Sequence, residues 1–377
     1  MPEQSPIRVL HTLSRLIPGG VERRTLELIK ATKNEPVEHI VCVMSGQTGT
    51  LDEEYRAAGA ELHYIRLRSP MFPFHFTKLL KHRSIDVVHA MLLNASGYIL
   101  ALARMAGVQN RIAQFRSDGD INPIGVKRRL NRIILRCLID RCATQIVGLT
   151  PRNLEIAWNR FWEEDPRCKI VPNGVAMLVD LPEQAEELSR FSSHSVIIHA
   201  GRADIPSKNR EKAISVFAEY ARHRPKSVLI FVGRDGKDEA HVQENRIKWR
   251  LLTQEYGIDD QVYFLGEKSS VLPYFSAADV LLFTSTWEGL PGIILEALST
   301  GLPVVSTDVP GAEFIADQGL DVQILNAHDS DEKWGQALLS KPDKLSAFHR
   351  KQHMRQFGDS IFDLETSVRN YLELWQA

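Results

Sequence analysis

Strand-length apolar runs alternate with helical patterns along almost the whole chain of 377 residues. The run IRVLHTL precedes GGVERRTLELIKAT, in which Val21, Leu26 and Ile29 fall on one helical face. Near-continuous apolar strands separated by helices are typical of a parallel sheet that is covered on both faces, because each crossover helix packs on the sheet. The pattern therefore predicts an α/β fold built from doubly wound parallel sheets.

The alternation comes in two series, which predicts two domains. The first series has the runs IRVLHTL, HIVCVM, ELHYIRL, DVVHAM, NRIAQF and TQIVGLT, and the second has SVIIHAG, SVLIFVG, QVYFLG, DVLLFTS and PVVSTD. A Pro-Asn-Gly turn and an acidic, serine-containing stretch separate them, as in a linker. We predict Rossmann-like domains at 1–175 and 195–358, a linker at 176–194 and a central cleft. The last helical pattern, 359–377, can cross back onto the first domain, but spacing alone leaves this open.

Composition limits the function classes. Lys and Arg number 46 against 47 Asp and Glu, so the bulk charge does not favour nucleic-acid binding. The four cysteines form no Cys-x-x-Cys pair, which indicates reduced thiols in the cytoplasm. The start of the sequence lacks the layout of a signal peptide, and no apolar run approaches membrane-spanning length. We therefore expect a cytoplasmic protein.

Two carboxylates flank a glycine-rich turn in STWEGLPGIILEALSTGLPVVSTD (285–308). Glu288 falls in the loop after the strand DVLLFTS, and Glu296 falls inside a helix that we predict to begin near Pro291. Free N–H groups at a helix start bind phosphate, and two acceptors beside it can hold hydroxyl groups, as a nucleotide sugar requires. The alternative is a glutamate that only interacts with the helix dipole. The glycines and N–H donors assigned to this turn are Gly289, Leu290, Gly292 and Ile293.

Basic residues follow another strand of the second series. In IIHAGRADIPSKNREKAISVF, Arg202 and Lys208 lie in the loop before a helix, where their charges can neutralise a diphosphate. Basic loop residues are often only solvated, but their combination with the glutamate pair favours a binding site. In the first series, Gly19 and Gly20 resemble a turn that approaches phosphate. No complete G-x-G-x-x-G is present, so a dinucleotide site is disfavoured.

These motifs resemble those of the GT-B-fold glycosyltransferases, specifically the large retaining family 4 (glycosyltransferase group 1), over nearly the whole chain. The matching segments are GGVER (19–23), VPNGV (171–175), AGRADIPSKN (200–209), FVGRDG (231–236), residues 263–311 and the terminal helix. The resemblance implies that Glu288 holds the hydroxyls of the donor sugar and Glu296 holds the ribose. It further implies that the terminal helix returns to the first domain. The residues implied at the donor diphosphate are Gly19, Gly20, Arg202 and Lys208.

One residue departs from the family pattern. Many members carry a histidine near the sugar after the strand here written RIAQF, and this chain has Arg116. Arginine does not accept a proton at neutral pH, so a histidine-like role is in doubt, whereas binding phosphate or stabilising its departure is compatible. Retaining members are thought to react on one face of the sugar, which requires stabilisation of the leaving diphosphate more than a base. We therefore expect Arg116 to serve both catalysis and acceptor binding.

Other polar residues near strand ends are weaker candidates. Asp118-x-Asp120 resembles a metal motif of a different glycosyltransferase fold, but such a sequence is more often a turn, so we predict no metal and no cofactor. Asp118 is instead assigned to the acceptor. Among His11, His89 and His199, packed histidines are the commoner outcome, and His89 is the one we assign to the acceptor.

Two basic stretches contain exposed-looking apolar residues. The segment 126–141 is an amphipathic helix with five basic residues on one side, and 66–83 interleaves aromatic residues with basic ones. Both are compatible with a surface that rests on anionic lipid, and equally with a packed helix and an ordinary loop.

The sequence thus predicts a cytoplasmic glycosyltransferase whose segments 66–83 and 126–141 can rest on the cytoplasmic face of the membrane. It would move a sugar from a nucleotide-diphosphate sugar to an oligosaccharide or lipid-linked acceptor with retention of configuration. One alternative is a nucleotide-sugar epimerase on the same scaffold, which would act on donor alone. Another is an inactive sugar-nucleotide-binding subunit, which Arg116 keeps open.

Overall fold

The computed structural model of the protein describes residues 5–117 and 125–377, which form two compact units. The first unit contains the chain up to Gly174 together with Leu364–Ala377, and the second unit is Val175–Asp363. Each unit is built on one sheet in which every pairing between neighbouring strands is parallel. Among the described residues, no helix combines the length and the apolar character that crossing a membrane requires.

The first unit has a sheet of seven strands in the order β3-β2-β1-β4-β5-β6-β7. The strand order reverses at β1, so the loops after β1 and β4 diverge at the carboxyl edge of the sheet. The strands are β1 (Ile7–Leu13), β2 (Val37–Val43), β3 (Glu61–Tyr64), β4 (Val87–Ala90), β5 (Asn110–Phe115), β6 (Gln145–Gly148) and β7 (Cys168–Ile170).

Helices cover both faces of this sheet because successive strand residues point to opposite sides. Leu10 and Val88 pack with α3, α4 and α5, whereas Val9 and Val87 pack with α1 and the terminal helix α14. The helices are α1 (Gly20–Ala31), α2 (Asp52–Ala57), α3 (Phe72–His82), α4 (Ser96–Met105), α5 (Val126–Cys142), α6 (Pro151–Ala157) and α14 (Leu364–Gln376).

The second unit has a sheet of six strands in the order β10-β9-β8-β11-β12-β13. Its order reverses at β8, so the loops after β8 and β11 flank the switch point. The strands are β8 (Ser195–Ala200), β9 (Ser227–Val232), β10 (Val262–Phe264), β11 (Val280–Phe283), β12 (Val304–Thr307) and β13 (Val322–Leu325). The helices are α7 (Arg210–His223), α8 (Glu239–Tyr256), α9 (Leu272–Ala277), α10 (Gly292–Ser299), α11 (Pro310–Ala316), α12 (Asp331–Leu339) and α13 (Ala347–Gly358).

The structure differs from the predicted boundaries in three places. The segment 176–194 is part of the second unit, where its short 3-10 helix buries Leu188 and Phe191 and Ala185 N–H donates to the carbonyl of Pro273. Residues 359–363 also belong to the second unit, so the returning segment starts at Leu364. The edge strands β7 and β13, of three and four residues, were not predicted.

Candidate active site

Two charged residues of the second unit meet where its strand order reverses. Lys208 lies in the loop after β8 and Glu288 in the loop after β11, and the Lys208 ammonium forms an ion pair with the Glu288 carboxylate. Both side chains are largely shielded, with 16% and 22% of their surface exposed. The backbone also joins the two loops, since Thr286 N–H donates to the carbonyl of Ser207 at 2.8 Å. The sequence assigned both residues to a donor, and the structure places them in direct contact.

The Lys208 loop is fixed from below by buried side chains. The Thr284 hydroxyl, at the end of β11, reaches the carbonyls of Lys208 and Asn209 at 3.2 and 2.9 Å. His199, in β8, donates from Nε2 to the carbonyl of Lys208 at 3.1 Å. Burial lowers the pKa of His199 to about 3, so its imidazole stays neutral and acts as a hydrogen-bond donor to the loop. Hydrogen bonds from His199 and Thr284, which belong to two neighbouring strands or their ends, thus hold the backbone of Lys208 in place. The sequence analysis did not predict these hydrogen bonds.

The turn after Glu288 presents a helix start. Helix α10 begins at Gly292, with Pro291 as the residue before it, so Glu296 is the fifth helical residue and is half-buried. The turn packs against the start of α11: a Cβ on Gly311 would overlap the Gly289 carbonyl and lie 2.7 Å from Pro291 Cδ. Only glycine fits at position 311, and this close contact fixes the position of the turn relative to α11. Of the other assigned donors, the structure buries Leu290 and leaves Ile293 half-buried.

Arg202 is paired with an aspartate that the sequence analysis missed. Asp204 lies between two arginines: Arg202 Nε is 3.6 Å from its Oδ1, and Arg234, which follows β9, forms an ion pair with its Oδ2. Arg202 remains well exposed, at 44%. The sequence signal was available, since Arg234 falls in the quoted motif FVGRDG. The carboxyl edge of β8 and β9 therefore carries two cations around one carboxylate.

Arg116 is the corresponding cation of the first unit. It follows β5 and donates from Nη2 to Asn173 Oδ1 at 2.6 Å and from Nη1 to Thr25 Oγ1 at 3.4 Å. Its Nε is buried and has no acceptor, and among residues 5–117 and 125–377 no carboxylate forms an ion pair with it. Burial lowers the pKa of Arg116. Among the described carboxylates, Glu22 acts on this charge without forming an ion pair, so an anion bound beside Arg116 would offset the remaining cost of shielding it from water.

The glycine pair after β1 forms the start of helix α1. Gly19 is the residue before the helix and Gly20 is its first residue. A Cβ on Gly19 would lie 2.6 Å from Glu22 Oε2, so the Glu22 carboxyl folds over Gly19, whereas nothing lies within 4 Å of a Cβ on Gly20. Burial raises the pKa of Glu22. A phosphate that approaches Gly19 would thus meet a carboxyl group, which the sequence analysis did not anticipate.

The structure places His89, which the sequence analysis assigned to the acceptor, inside the first unit. His89 is 1% exposed within β4, donates from Nε2 to Gln114 Oε1 at 3.1 Å, and packs against Tyr371 and Trp375 of the terminal helix. Successive residues of a strand point to opposite faces of the sheet, and the His89 side chain points to the face that the terminal helix covers. His89 lies within β4, which continues to Ala90, and not in the loop after it. His89 is therefore packed in the core, in contact with the terminal helix.

Asp118 and Asp120 lie outside the described residues. In the remainder of the chain, no group of three or more His, Cys, Asp and Glu side chains is arranged to hold a metal ion. The charged groups that the structure brings together are organic cations and carboxylates, which is chemistry suited to binding an anion with attached hydroxyl groups.

The comparison with known families identifies the chain. A model described as glycosyl transferases group 1 matches residues 194–340, and one described as Glycosyltransferase Family 4 matches residues 18–177. The chain belongs to the group 1 glycosyltransferases. The two matches fall almost entirely on separate units, and the residues of the second unit that the sequence analysis assigned to a donor lie within the first of these matches.

Individual relatives span most or nearly all of this glycosyltransferase. The capsular polysaccharide biosynthesis glycosyltransferase CapH of Staphylococcus aureus is 28% identical over 98% of this chain and 99% of its own. The UDP-Gal:alpha-D-GlcNAc-diphosphoundecaprenol alpha-1,3-galactosyltransferase of Escherichia coli is 24% identical over 87% of this chain and 86% of its own. The crystal structure of Anabaena HepE in complex with UDP has a TM-score of 0.78 at 16% identity and covers 98% and 99% of the two chains. That structural similarity supports the GT-B fold.

Proposed function

We propose that this glycosyltransferase moves a sugar from a nucleotide-diphosphate sugar to a saccharide carried on a lipid diphosphate, with retention of configuration and without a metal ion. The observation that carries the proposal is the Lys208–Glu288 pair at the switch point of the second sheet. Lys208 and Arg202 neutralise the diphosphate, while Glu288 and Glu296 accept hydrogen bonds from the sugar and the ribose. Gly292 and Ile293 offer N–H groups of the α10 start to a phosphate oxygen.

Three comparisons support the choice of substrates. CapH is by its name a capsular polysaccharide enzyme, and the Escherichia coli relative is by its name a transferase that uses UDP-Gal and a diphosphoundecaprenol-linked sugar. HepE was crystallised with UDP. A lipid-linked saccharide in surface polysaccharide synthesis is the acceptor class that agrees with these names.

The charges favour a mechanism driven by departure of the diphosphate. Breaking the bond between sugar and phosphate places negative charge on the leaving oxygen, which Lys208 and Arg202 stabilise electrostatically. That oxygen then takes the proton of the attacking acceptor hydroxyl on the same face of the sugar, so no side-chain base is required. Arg116 binds an anionic group of the substrates in the first unit, which agrees with the finding that no carboxylate within residues 5–117 and 125–377 forms an ion pair with it.

The first experiment identifies the donor and tests the pair. A thermal-shift panel of UDP-, GDP-, ADP- and CDP-sugars should yield one class that raises the melting temperature by about 5–10 °C at a hundred times its Kd. With that donor, Lys208→Ala and Glu288→Ala should each lower kcat/KM by about 10²–10³. Lys248→Ala, which removes the lysine of the exposed Lys248–Glu211 pair, is the matched control and should retain full activity.

The same assay separates the alternatives. Product formed from donor alone, without acceptor, would favour an epimerase. Donor binding without transfer to any lipid-linked or free saccharide would favour an inactive subunit. The anomeric proton coupling of the product, measured by NMR, reports retention, and inversion would refute the same-face route.

We further propose that helix α5 rests on an anionic membrane on the cytoplasmic side. Its apolar residues are exposed along more than two turns: Val126, Leu130, Ile133 and Ile134. Lys127, Arg128 and Arg129 are exposed beside them, whereas Arg136 is occupied by the carbonyls of Ile156 and Ala157. An unpaired apolar face with cations and no acidic residue before Asp140 is complementary to anionic lipid.

The second basic stretch contributes less than predicted. In 66–83, Phe72 and Phe76 are fully buried and stack on each other, so only Met71 and Phe74 are exposed. Helices α3 and α5 both pack on the same face of the sheet as α4, which allows them to contribute to one surface. Helix α5 is therefore the main element of the proposed contact.

Vesicle sedimentation tests this contact. Leu130→Ser/Ile134→Ser removes about 2 kcal/mol of apolar transfer energy, so binding to phosphatidylglycerol vesicles should fall about thirty-fold. The control Ile247→Ser/Leu251→Ser has the same spacing on α8, where both side chains are also exposed, and should bind as the unaltered protein does. Equal binding to neutral phosphatidylcholine, or no difference between the two variants, would refute the contact.

A further inference from the structure

A buried arginine lies beneath the two loops that carry Arg202 and Arg234. Arg210, the first residue of α7, is 2% exposed. Its Nη1 donates to Asp235 Oδ1 at 2.6 Å, and its Nη2 donates to the carbonyls of Gly201 and Gly233 at 2.9 and 3.1 Å. One guanidinium therefore joins the end of β8 to the end of β9.

The two loops touch through their backbones. Gly233 has a φ of +128°, which side chains with a Cβ rarely adopt. A Cβ at this position would lie 2.7 Å from the carbonyl carbon of Gly201 and 3.3 Å from Arg202 N. The Arg210 guanidinium spans this contact, so it fixes the two loops relative to each other as well as to the helix.

The environment of Arg210 holds the guanidinium in one orientation. Its charge is balanced by Asp235, which also accepts bonds from Arg246 Nε and Nη2 at 2.9 and 2.8 Å. The guanidinium lies 4.9 Å from the ring centroid of Trp249 and 5.2 Å from that of Phe231. Lysine cannot replace arginine here. Its ammonium has neither the planar shape that packs against aromatic rings nor the fixed fork of donors that binds these three acceptors.

Because peptide units are planar, fixing these two carbonyls also fixes the direction of the N–H groups in the same peptide units. The Gly201 carbonyl belongs to the peptide unit that contributes the N–H of Arg202, and the Gly233 carbonyl belongs to that of Arg234. No peptide bond in the described residues is cis, so each N–H points away from the carbonyl that Arg210 binds. Within the described chain neither N–H donates to a protein acceptor. Both lie at the carboxyl edge of the sheet, where α/β proteins bind ligands.

We propose that Arg210 is a positioning residue for the donor diphosphate: by holding the Gly201 and Gly233 carbonyls, it aims the backbone amides of Arg202 and Arg234 at phosphate oxygens. This inference rests on the proposed function, and it adds a layer beneath the residues that contact the donor. Two oriented amides form a concave anion site that the side chain of Arg202 completes.

The test compares two buried arginines of the second unit. Arg350→Met is the matched control, because Arg350 is also buried and donates to backbone carbonyls, but at the amino ends of β11 and β12. The carbonyls that it binds are those of Phe275, Ala278 and Thr300. Arg210→Met and Arg350→Met should both lower the melting temperature. Only Arg210→Met should raise the donor KM, by about 10–100-fold, with the acceptor KM unchanged.

A milder variant covers the case in which Arg210→Met does not fold. Arg210→Lys retains the charge but cannot reach all three acceptors, so it should fold and still raise the donor KM by about tenfold. An unchanged donor KM in Arg210→Lys, while the unaltered enzyme transfers normally, overturns the inference and leaves the proposed function intact. A donor KM that rises equally in Arg350→Met also overturns it, since the effect would then be loss of stability. If the unaltered protein transfers from no donor, the proposed function fails and the inference fails with it.

Discussion

The buried histidines of the first unit should make its stability depend steeply on pH. Three of them, in neighbouring strands, pack beneath the terminal helix: His11, His39 and His89. Burial lowers the pKa of His39 to about 4 and that of His89 to about 3, and it lowers the pKa of His11 well below the ordinary value of 6.5. Each should therefore be neutral in the folded protein at neutral pH.

The hydrogen bonds have room for one proton on each ring only. Thr32 Oγ1 donates to the Leu28 carbonyl at 2.8 Å, so His39 Nε2 donates to Thr32, at 2.8 Å, and His11 Nε2 donates to His39 Nδ1, at 3.0 Å. The remaining nitrogens, His11 Nδ1 and His89 Nδ1, are buried and have no acceptor among the residues that the structure describes. A second proton on either ring would be a buried charge with no partner.

The sign and size of the effect follow from linkage. The unfolded chain takes up protons at about pH 6.5 and the folded protein does not, so stability is complete above that pH and falls as the pH drops towards the folded values. At about pH 5 His39 and His89 each cost about 2 kcal/mol and together about 4 kcal/mol, and His11 adds to this cost in the same direction. That is a large share of a typical folding free energy.

Urea unfolding followed by circular dichroism at several pH values between about 8 and 5 measures this dependence. His89→Gln should reduce the slope between about pH 6.5 and 5 by about 1.4 kcal/mol per pH unit, which is one proton. His75→Gln, at an exposed position of α3, is the control and should leave the slope unchanged. A flat profile, or the same slope in His89→Gln as in the unaltered protein, would refute the reasoning.

Two further predictions concern the candidate site. Gly311→Ala should displace the Gly289 carbonyl by about 1 Å and lower kcat about a hundred-fold. The control is Gly125→Ala, where nothing lies within 4 Å of a Cβ, and it should retain activity. Equal rates of the two variants in an initial-rate assay would contradict the importance of this contact. Arg116→Gln should lower kcat/KM by at least tenfold yet leave the melting temperature unchanged or higher, because it removes a shielded charge that forms no ion pair within the described chain and donates to neutral groups such as Asn173. A large fall in melting temperature would show that Arg116 is structural instead.

Much of the fold was readable from local pattern. Apolar runs of strand length, such as that of β1, are buried on both faces, and this requirement is written in consecutive residues. The placement of Glu288 and Lys208 at one edge of the sheet was also predictable from the sequence. Both residues follow strands, and the carboxyl ends of parallel strands share one edge. The short edge strand β7 and the packed segment 176–194 were misread, since their burial depends on partners distant in sequence.

Strand periodicity and chain order are enough to predict which residue types reach the carboxyl edges of the two sheets. How these residues are held follows only from the packing of the folded chain. In the folded protein His89 is buried in the core, Lys208 is paired with Glu288, and Arg210 lies beneath the two loops that begin at Gly201 and Gly233. Such contacts join positions tens of residues apart, and their free energies depend on distances of a few tenths of an ångström that no local pattern encodes.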